Sequence, residues 1–152
     1  MYLFLVVIMT KYPRAGVGVM VVRNHKVLLG LRHSDAEKAS SELHGEGTWT
    51  MPGGKVDWHQ TIKESAMREL EEETSLKANN LKLISVTDEI VHDNHFVTNG
   101  FICTDFEGDV KTMEPDEIVE WRWFSFSELP EKVFPPCVKI IKNFFTNEIY
   151  KH

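Results

Sequence analysis

Residues 53–76, GGKVDWHQTIKESAMRELEEETSL, constrain this chain more than any other stretch. Thr61 stands where a helix N-cap is wanted and Glu64 follows three residues later, the capping-box spacing. No Gly or Pro interrupts the run to Thr74, so the pattern predicts a helix of about 3.6 residues per turn. Glu69, Glu72 and Glu73 then fall at i, i+3 and i+4 on one surface. Like charges so placed destabilise a helix by roughly 0.2–0.5 kcal/mol per pair. A solvated acidic face is the ordinary reading of such a run; a hard divalent cation, which takes oxygen ligands, is the alternative that offsets the repulsion. The context favours the cation. Ile62, Ala66 and Leu70 make a neighbouring apolar stripe that packs one flank and holds the acids against a fixed wall. Arg68 can reach Glu64 or Glu72 one turn away and orient a carboxylate. Met51-Pro52-Gly53-Gly54 enters from the other side, and its glycines let the backbone approach a ligand, with Gly53 placed to lend the metal a carbonyl oxygen.

These residues resemble the signature of the Nudix hydrolases, the MutT-like pyrophosphohydrolases. That signature runs Gly, five residues, Glu, seven residues, Arg-Glu, an aliphatic, any residue, Glu-Glu, any residue, Gly and an aliphatic. Gly54 opens it, Arg68-Glu69-Leu70 and Glu72-Glu73 match its core, and Leu76 closes it. Gln60 stands where the family has Glu, and Ser75 where it has Gly. The resemblance implies that Glu69 and Glu73, with Glu72 assisting, bind Mg²⁺, for which Mn²⁺ can substitute. Gln60 can still hydrogen-bond but cannot neutralise Arg68. The late segment Glu114-Pro115-Asp116-Glu117 through Trp121-Arg122-Trp123 looks like that of the branch acting on nucleoside triphosphates. The resemblance further implies an α/β/α sandwich with a mixed β-sheet between helices.

The rest of the chain agrees with one α/β domain over residues 1–152. Its 42% hydrophobic and 26% charged residues are ordinary for a globular protein. A net charge of −6 argues against a nucleic-acid polymer as partner, although a small-molecule nucleotide remains compatible because a metal can carry the phosphate charge locally. Cys103 and Cys137 show no metal-ligand spacing and read as reduced, buried thiols of a cytoplasmic protein. The apolar opening, residues 1–9, has no basic residue before it and is too short to span a bilayer, which needs about 20 residues. It is expected to be an edge strand, covering its own sheet or joining two copies in a homodimer, rather than a membrane anchor.

Along the chain, 15–22 and 26–31 read as strands about a turn at 23–25, 34–48 as a long polar loop, and 77–80 as a turn. Residues 81–89 and 96–104 are strands joined by His92-Asp93-Asn94-His95, which suits a hairpin turn better than a transition-metal site. A further loop spans 106–115, 121–124 resume a strand, and 138–150 carry Ile140, Ile141, Phe144, Phe145 and Ile149 at helical spacing. Gly16-Val17-Gly18 lacks the third glycine of a phosphate loop and is expected to permit close packing instead.

The expected reaction is attack of water on a phosphorus of a nucleoside triphosphate, an oxidised or modified purine nucleotide among the candidates, releasing the monophosphate and pyrophosphate. Glu72 is the first choice to activate the water and Glu114 the alternative, with Arg68 orienting the acids. Arg32 is the candidate phosphate clamp, or else a solvated arginine. Trp49, Thr50, Met51 and Phe134 can wall a slot for a flat base, or else belong to the core. Hydrolysis of ADP-ribose or another nucleotide sugar, and a catalytically weakened nucleotide sensor, are the rival readings.

Overall fold

A computed structural model describes residues 11–39 and 42–151; the apolar opening, with its expected edge-strand and dimer roles, lies outside the described residues. Strand β1 (Arg14–Arg23) and strand β2 (Lys26–Arg32) form a hairpin whose two turn residues, Asn24 and His25, have φ of 51° and 60°. Positive φ at both central positions gives the two-residue turn whose twist matches that of the flanking strands. Helix α1 (Ala36–Ala39) and strand β3 (Trp49–Thr50) follow, then strand β4 (Gly53–Lys55) and helix α2 (Ile62–Thr74). Strands β5 (Lys77–Ala78), β6 (Lys82–Val91), β7 (Asn94–Cys103), β8 (Phe106–Glu107) and β9 (Ile118–Ser125) precede helix α3 (Pro135–Thr146).

The main sheet runs in the order β3-β2-β1-β7-β6, with β4 also pairing β1 and β9 also pairing β2. It is mixed: β1 lies parallel to β7, from Arg14 beside Phe96 to Val21 beside Cys103, and its other ladders are antiparallel. Alternation along β1 splits the core in two. Val17, Val19 and Val21 pack with Leu28 beneath Ala66 and Leu70 of α2, whereas Met20 joins Val27 and Leu29 beneath Cys137, Ile140 and Ile141 of α3. A helix on each face gives the expected α/β/α layering. Burying each such large side chain contributes about 1.5–3 kcal/mol. A Cβ on Gly100 would come within 2.8 Å of Ile140, so α3 sits on the sheet where β7 has no side chain.

Four local expectations are corrected. The loop at 34–48 contains the one-turn helix α1, started by the Asp35 carboxylate accepting from Glu37 N at 2.9 Å. The turn expected at 77–80 includes β5, which pairs with β8 in a two-stranded ribbon, a partner too distant in sequence for local patterning to reveal. That ribbon also places a short strand in the loop expected at 106–115. Helix α3 begins at Pro135 rather than 138, because proline is tolerated in a first turn whose N–H groups lack helical acceptors. It ends at Thr146, where Asn147 turns left-handed with φ of 55°, so Ile149 and Tyr150 lie beyond it.

Candidate active site

The capping box forms as spaced: Glu64 N donates to Thr61 Oγ1 at 3.1 Å, and Thr61 N to Glu64 Oε2 at 2.8 Å. Glu64 is thereby turned away from Arg68. Ala66 and Leu70 anchor α2 in the core, which fixes the rotation of the helix and aims the acids at β4. Glu73 is only 9% exposed, and its Oε2 accepts from Gly53 N at 3.0 Å. Gly53 thus engages this acid through its N–H.

The two glycines of β4 are required by distance. A Cβ at Gly53 would lie 2.1 Å from the Val17 carbonyl oxygen, and one at Gly54 would lie 2.5 Å from Glu69 Oε1. Bare backbone here lets β4 fit between β1 and the acidic face of α2.

Arg68 organises the outer side of that face. Its Nη1 donates to Glu69 Oε1 and to Glu72 Oε2, each at 3.0 Å, and its Nε donates to Gln60 Oε1 at 3.1 Å. Partial burial works against its charge, but Glu69, Glu72 and Asp57 outweigh that and hold its pKa above the ordinary value. Gln60 also accepts from Ser65 Oγ at 3.0 Å, so it serves as an acceptor where the signature has a carboxylate.

Glu69, Glu72, Glu73 and Glu114 line a cavity of about 700 Å³. Burial pushes the Glu73 carboxyl well up, against the Gly53 hydrogen bond, and the charges of Glu69, Glu114 and Glu117 add to it. Burial likewise raises Glu69 against the pull of Arg68, and raises Glu114 with help from Glu117 and Glu72. So much negative charge in a half-enclosed wall asks for a cation. Among the described residues, no three His, Cys, Asp or Glu side chains are grouped closely enough to hold a metal ion alone. Mg²⁺ is usually held by one or two carboxylates, with substrate phosphates and water completing its shell. The carboxylate oxygens of Glu69, Glu72 and Glu73 on this wall are hard donors of the kind such an ion takes.

The same cavity is lined by Arg32, Thr50, Met51 and Phe134. Arg32 lies over the Phe134 ring, 5.2 Å from its centroid, and donates from Nη2 to the Ala39 carbonyl. Its Nε is buried without a hydrogen-bond partner among the described residues, and desolvation lowers its pKa despite the nearby Glu73. Arg32 is therefore not the solvated arginine of the alternative reading. Thr50 and Met51 are buried, and both meet the Cys137 sulfur: Met51 N donates to it at 3.2 Å. Trp49 does not line the cavity; its ring packs edge-on against Phe124, 4.8 Å between centroids. In β3 successive side chains face opposite ways, so Thr50 and Trp49 cannot share one slot.

Sequence reasoning missed Glu117, Glu42 and Lys55, which also line the cavity. Glu117 had a signal, its spacing of three from Glu114 across a turn closed by Glu117 N donating to Glu114 O at 3.0 Å. Glu42 had none. It reaches the site through the tertiary fold, accepting from Lys55 Nζ at 2.8 Å and pairing with Arg14.

The fold and its cavity define a class, a mixed α/β sandwich with a carboxylate-lined cavity beside one helix. The family model of the NUDIX domain matches residues 12–144, and the chain belongs to that family, hydrolases acting on phosphoric anhydride bonds. It is 27% identical over 153 residues to an RNA pyrophosphohydrolase of Erythrobacter litoralis, covering 88% of this chain and 84% of the relative. An ADP-ribose pyrophosphatase of Methanocaldococcus jannaschii is 28% identical over 135 residues, covering 88% of this chain and 73% of that one. Among solved structures, a MutT NUDIX hydrolase from Burkholderia pseudomallei superposes with a TM-score of 0.78 at 29% identity, covering 87% of this chain and 98% of that one.

Proposed function

We propose that this protein is a Mg²⁺-dependent pyrophosphohydrolase of nucleoside triphosphates, releasing the monophosphate and pyrophosphate. The observation that carries the reading is the buried Glu73, held by Gly53 N–H beside Glu69 and Glu72 on the wall of a cavity large enough for a nucleotide. The likeness to the MutT hydrolase supports a nucleoside triphosphate, with oxidised or modified purines among the substrates to try. Mn²⁺ is expected to substitute for Mg²⁺. The ADP-ribose pyrophosphatase relative supports a nucleotide sugar as the second reading.

A divalent cation, when bound, neutralises phosphate charge and makes phosphorus easier to attack. Glu69 and Glu73 would hold it, and Arg68 keeps Glu69 and Glu72 aligned on the helix surface. Water adds to phosphorus through a new P–O bond while the anhydride P–O bond breaks and pyrophosphate leaves. Of the two acids considered for the water, we favour Glu114. Its carboxyl has no hydrogen-bond partner among the described residues and burial raises its pKa, whereas Glu72 is tied to Arg68. Arg32 and Phe134 sit together across the cavity, where a guanidinium and a ring edge suit a base or a phosphate.

The test is incubation with a panel of nucleoside triphosphates, oxidised purine nucleotides, ADP-ribose and 5′-triphosphorylated RNA, in Mg²⁺ and in chelator, with pyrophosphate and phosphate read separately. Pyrophosphate release from a triphosphate, lost in chelator and lowered at least about 100-fold in Glu73→Gln, is the expected result. Turnover that persists in chelator, or is confined to ADP-ribose, would overturn the reading.

A further inference from the structure

We propose that Asp57 is the positioning residue that replaces the missing signature carboxylate at position 60, fixing the Arg68 fork so that one edge presents Nη1 to Glu69 and Glu72. The inference rests on the reading of Glu69 and Glu72 given above. The observation is how the guanidinium divides its contacts. Its Nη1 faces the two helix acids, while its other donors face the loop between β4 and α2: Nε to Gln60 Oε1 at 3.1 Å, and Nη2 to Asp57 Oδ2 at 3.1 Å and to the Lys55 carbonyl at 3.4 Å. A planar fork has no freedom to rotate one edge without the other. Whatever holds Nε and Nη2 therefore aims Nη1.

Gln60 accepts one of those bonds but carries no charge, and its oxygen is shared with Ser65 Oγ. Asp57 is the one carboxylate on the loop edge of the fork, and its charge acts on Arg68 alongside those of Glu69 and Glu72. Without it, both carboxylates on Arg68 would be the helix acids, and the guanidinium would be drawn onto them and away from the loop. That movement sets Arg68 against a cation competing for the same oxygens. It follows that the loss at position 60 is already balanced here. A carboxylate added at 60 in the natural chain would crowd a fourth acid round one guanidinium and gain nothing.

The test uses Asp57→Asn, Gln60→Glu and the double variant, which moves the carboxylate from 57 to 60 at unchanged net charge. Asp57→Asn is expected to lower kcat about tenfold, with KM within twofold, and Mn²⁺ affinity, read by electron paramagnetic resonance without nucleotide, about fivefold. The double variant restores both to within about threefold, and Gln60→Glu alone leaves kcat within twofold. Asp57 is 62% exposed at its side chain, so Asp57→Asn should melt as the natural chain does, and melting curves of the two Gln60 variants show whether they are folded before they are compared. The Arg68 Nε–H resonance of the metal-free protein, protected in the natural chain and the double variant but exchanging in Asp57→Asn, reads the anchor independently of any substrate. Full Mn²⁺ affinity and an unchanged Arg68 signal in Asp57→Asn would overturn the inference, as would a loss that the double variant does not restore. Failure of the natural chain to hydrolyse any triphosphate would overturn the proposed function instead, while the resonance still decides the role of Asp57.

Discussion

At the scale of single residues, the site is defined by what burial does to one carboxyl and by two absent Cβ atoms. The folded-state pKa of Glu73 is raised, mainly by burial, so between its ordinary value of 4.5 and that raised value the folded protein holds a proton that the unfolded chain has released. The contribution of Glu73 to the stability of the metal-free protein is then full below its ordinary value and is lost as pH climbs through the folded pKa; Glu69 and Glu114 have the same sign, and the lowered Glu42 and Asp93 the opposite one. Glu73→Gln should flatten that decline, seen as melting temperature against pH in chelator, and a slope equal to that of the natural chain would contradict the assignment. The glycines of β4 give a second contrast. A methyl at Gly54 meets the carboxylate end of the Glu69 side chain rather than backbone, so Gly54→Ala should stay folded but lose activity by about tenfold or more. A methyl at Gly53 meets the Val17 backbone, so Gly53→Ala should give little soluble protein. Expression yield, circular dichroism and turnover separate the two variants.

At the scale of elements, α2 was legible because its signals are local: the cap, the apolar stripe and the acids all lie within fourteen residues or so of Thr61 and recur at helical spacing. What escaped was whatever required a distant partner. The β5–β8 ribbon joins Lys77 to Glu107, Glu42 enters the cavity through Arg14 and Lys55, and Trp49 faces Phe124 rather than Thr50 because a strand alternates. Position 75 was legible in another sense. The signature has Gly there, and Ser75 adopts φ of 68°, with its N–H donating to Glu71 O at 2.9 Å, so the helix ends as a glycine would end it but with a Cβ in the left-handed region. That conformation costs a non-glycine residue about 1–2 kcal/mol, part of which glycine gives back in unfolded-state entropy. Ser75→Gly should therefore stabilise by about 0.5–1 kcal/mol, a rise of roughly 1–4 °C in Tm with activity unchanged. Urea unfolding midpoints check it, and a drop in stability would show that the Ser75 side chain has a role beyond the cap.

At the scale of the whole molecule, the main sheet ends, among the described residues, in the ten-residue strand β6, an edge of a length at which another strand could pair. The residues after α3 meet that edge at Val86. After Asn147 turns left-handed, Val86 N donates to Ile149 O at 2.7 Å and Tyr150 bridges Val86 in parallel. The buried Asn143 of α3 ties this junction by donating to Ser85 Oγ at 2.8 Å and to Ile149 O at 3.1 Å, and Tyr150 Oη donates to Asp88 at 2.9 Å. An unpaired edge with alternating apolar residues is a template for association, and a buried amide left without its acceptor costs about 1–3 kcal/mol. A chain ending at Thr146 should therefore melt several degrees lower and scatter light increasingly with concentration, whereas one ending at Tyr150 should match the full chain. The two truncations differ only in residues 147–150, and both leave the cavity-lining residues in place. If the shorter chain matches the full chain in melting and in scattering across a concentration series, then β6 is protected by something other than this tail.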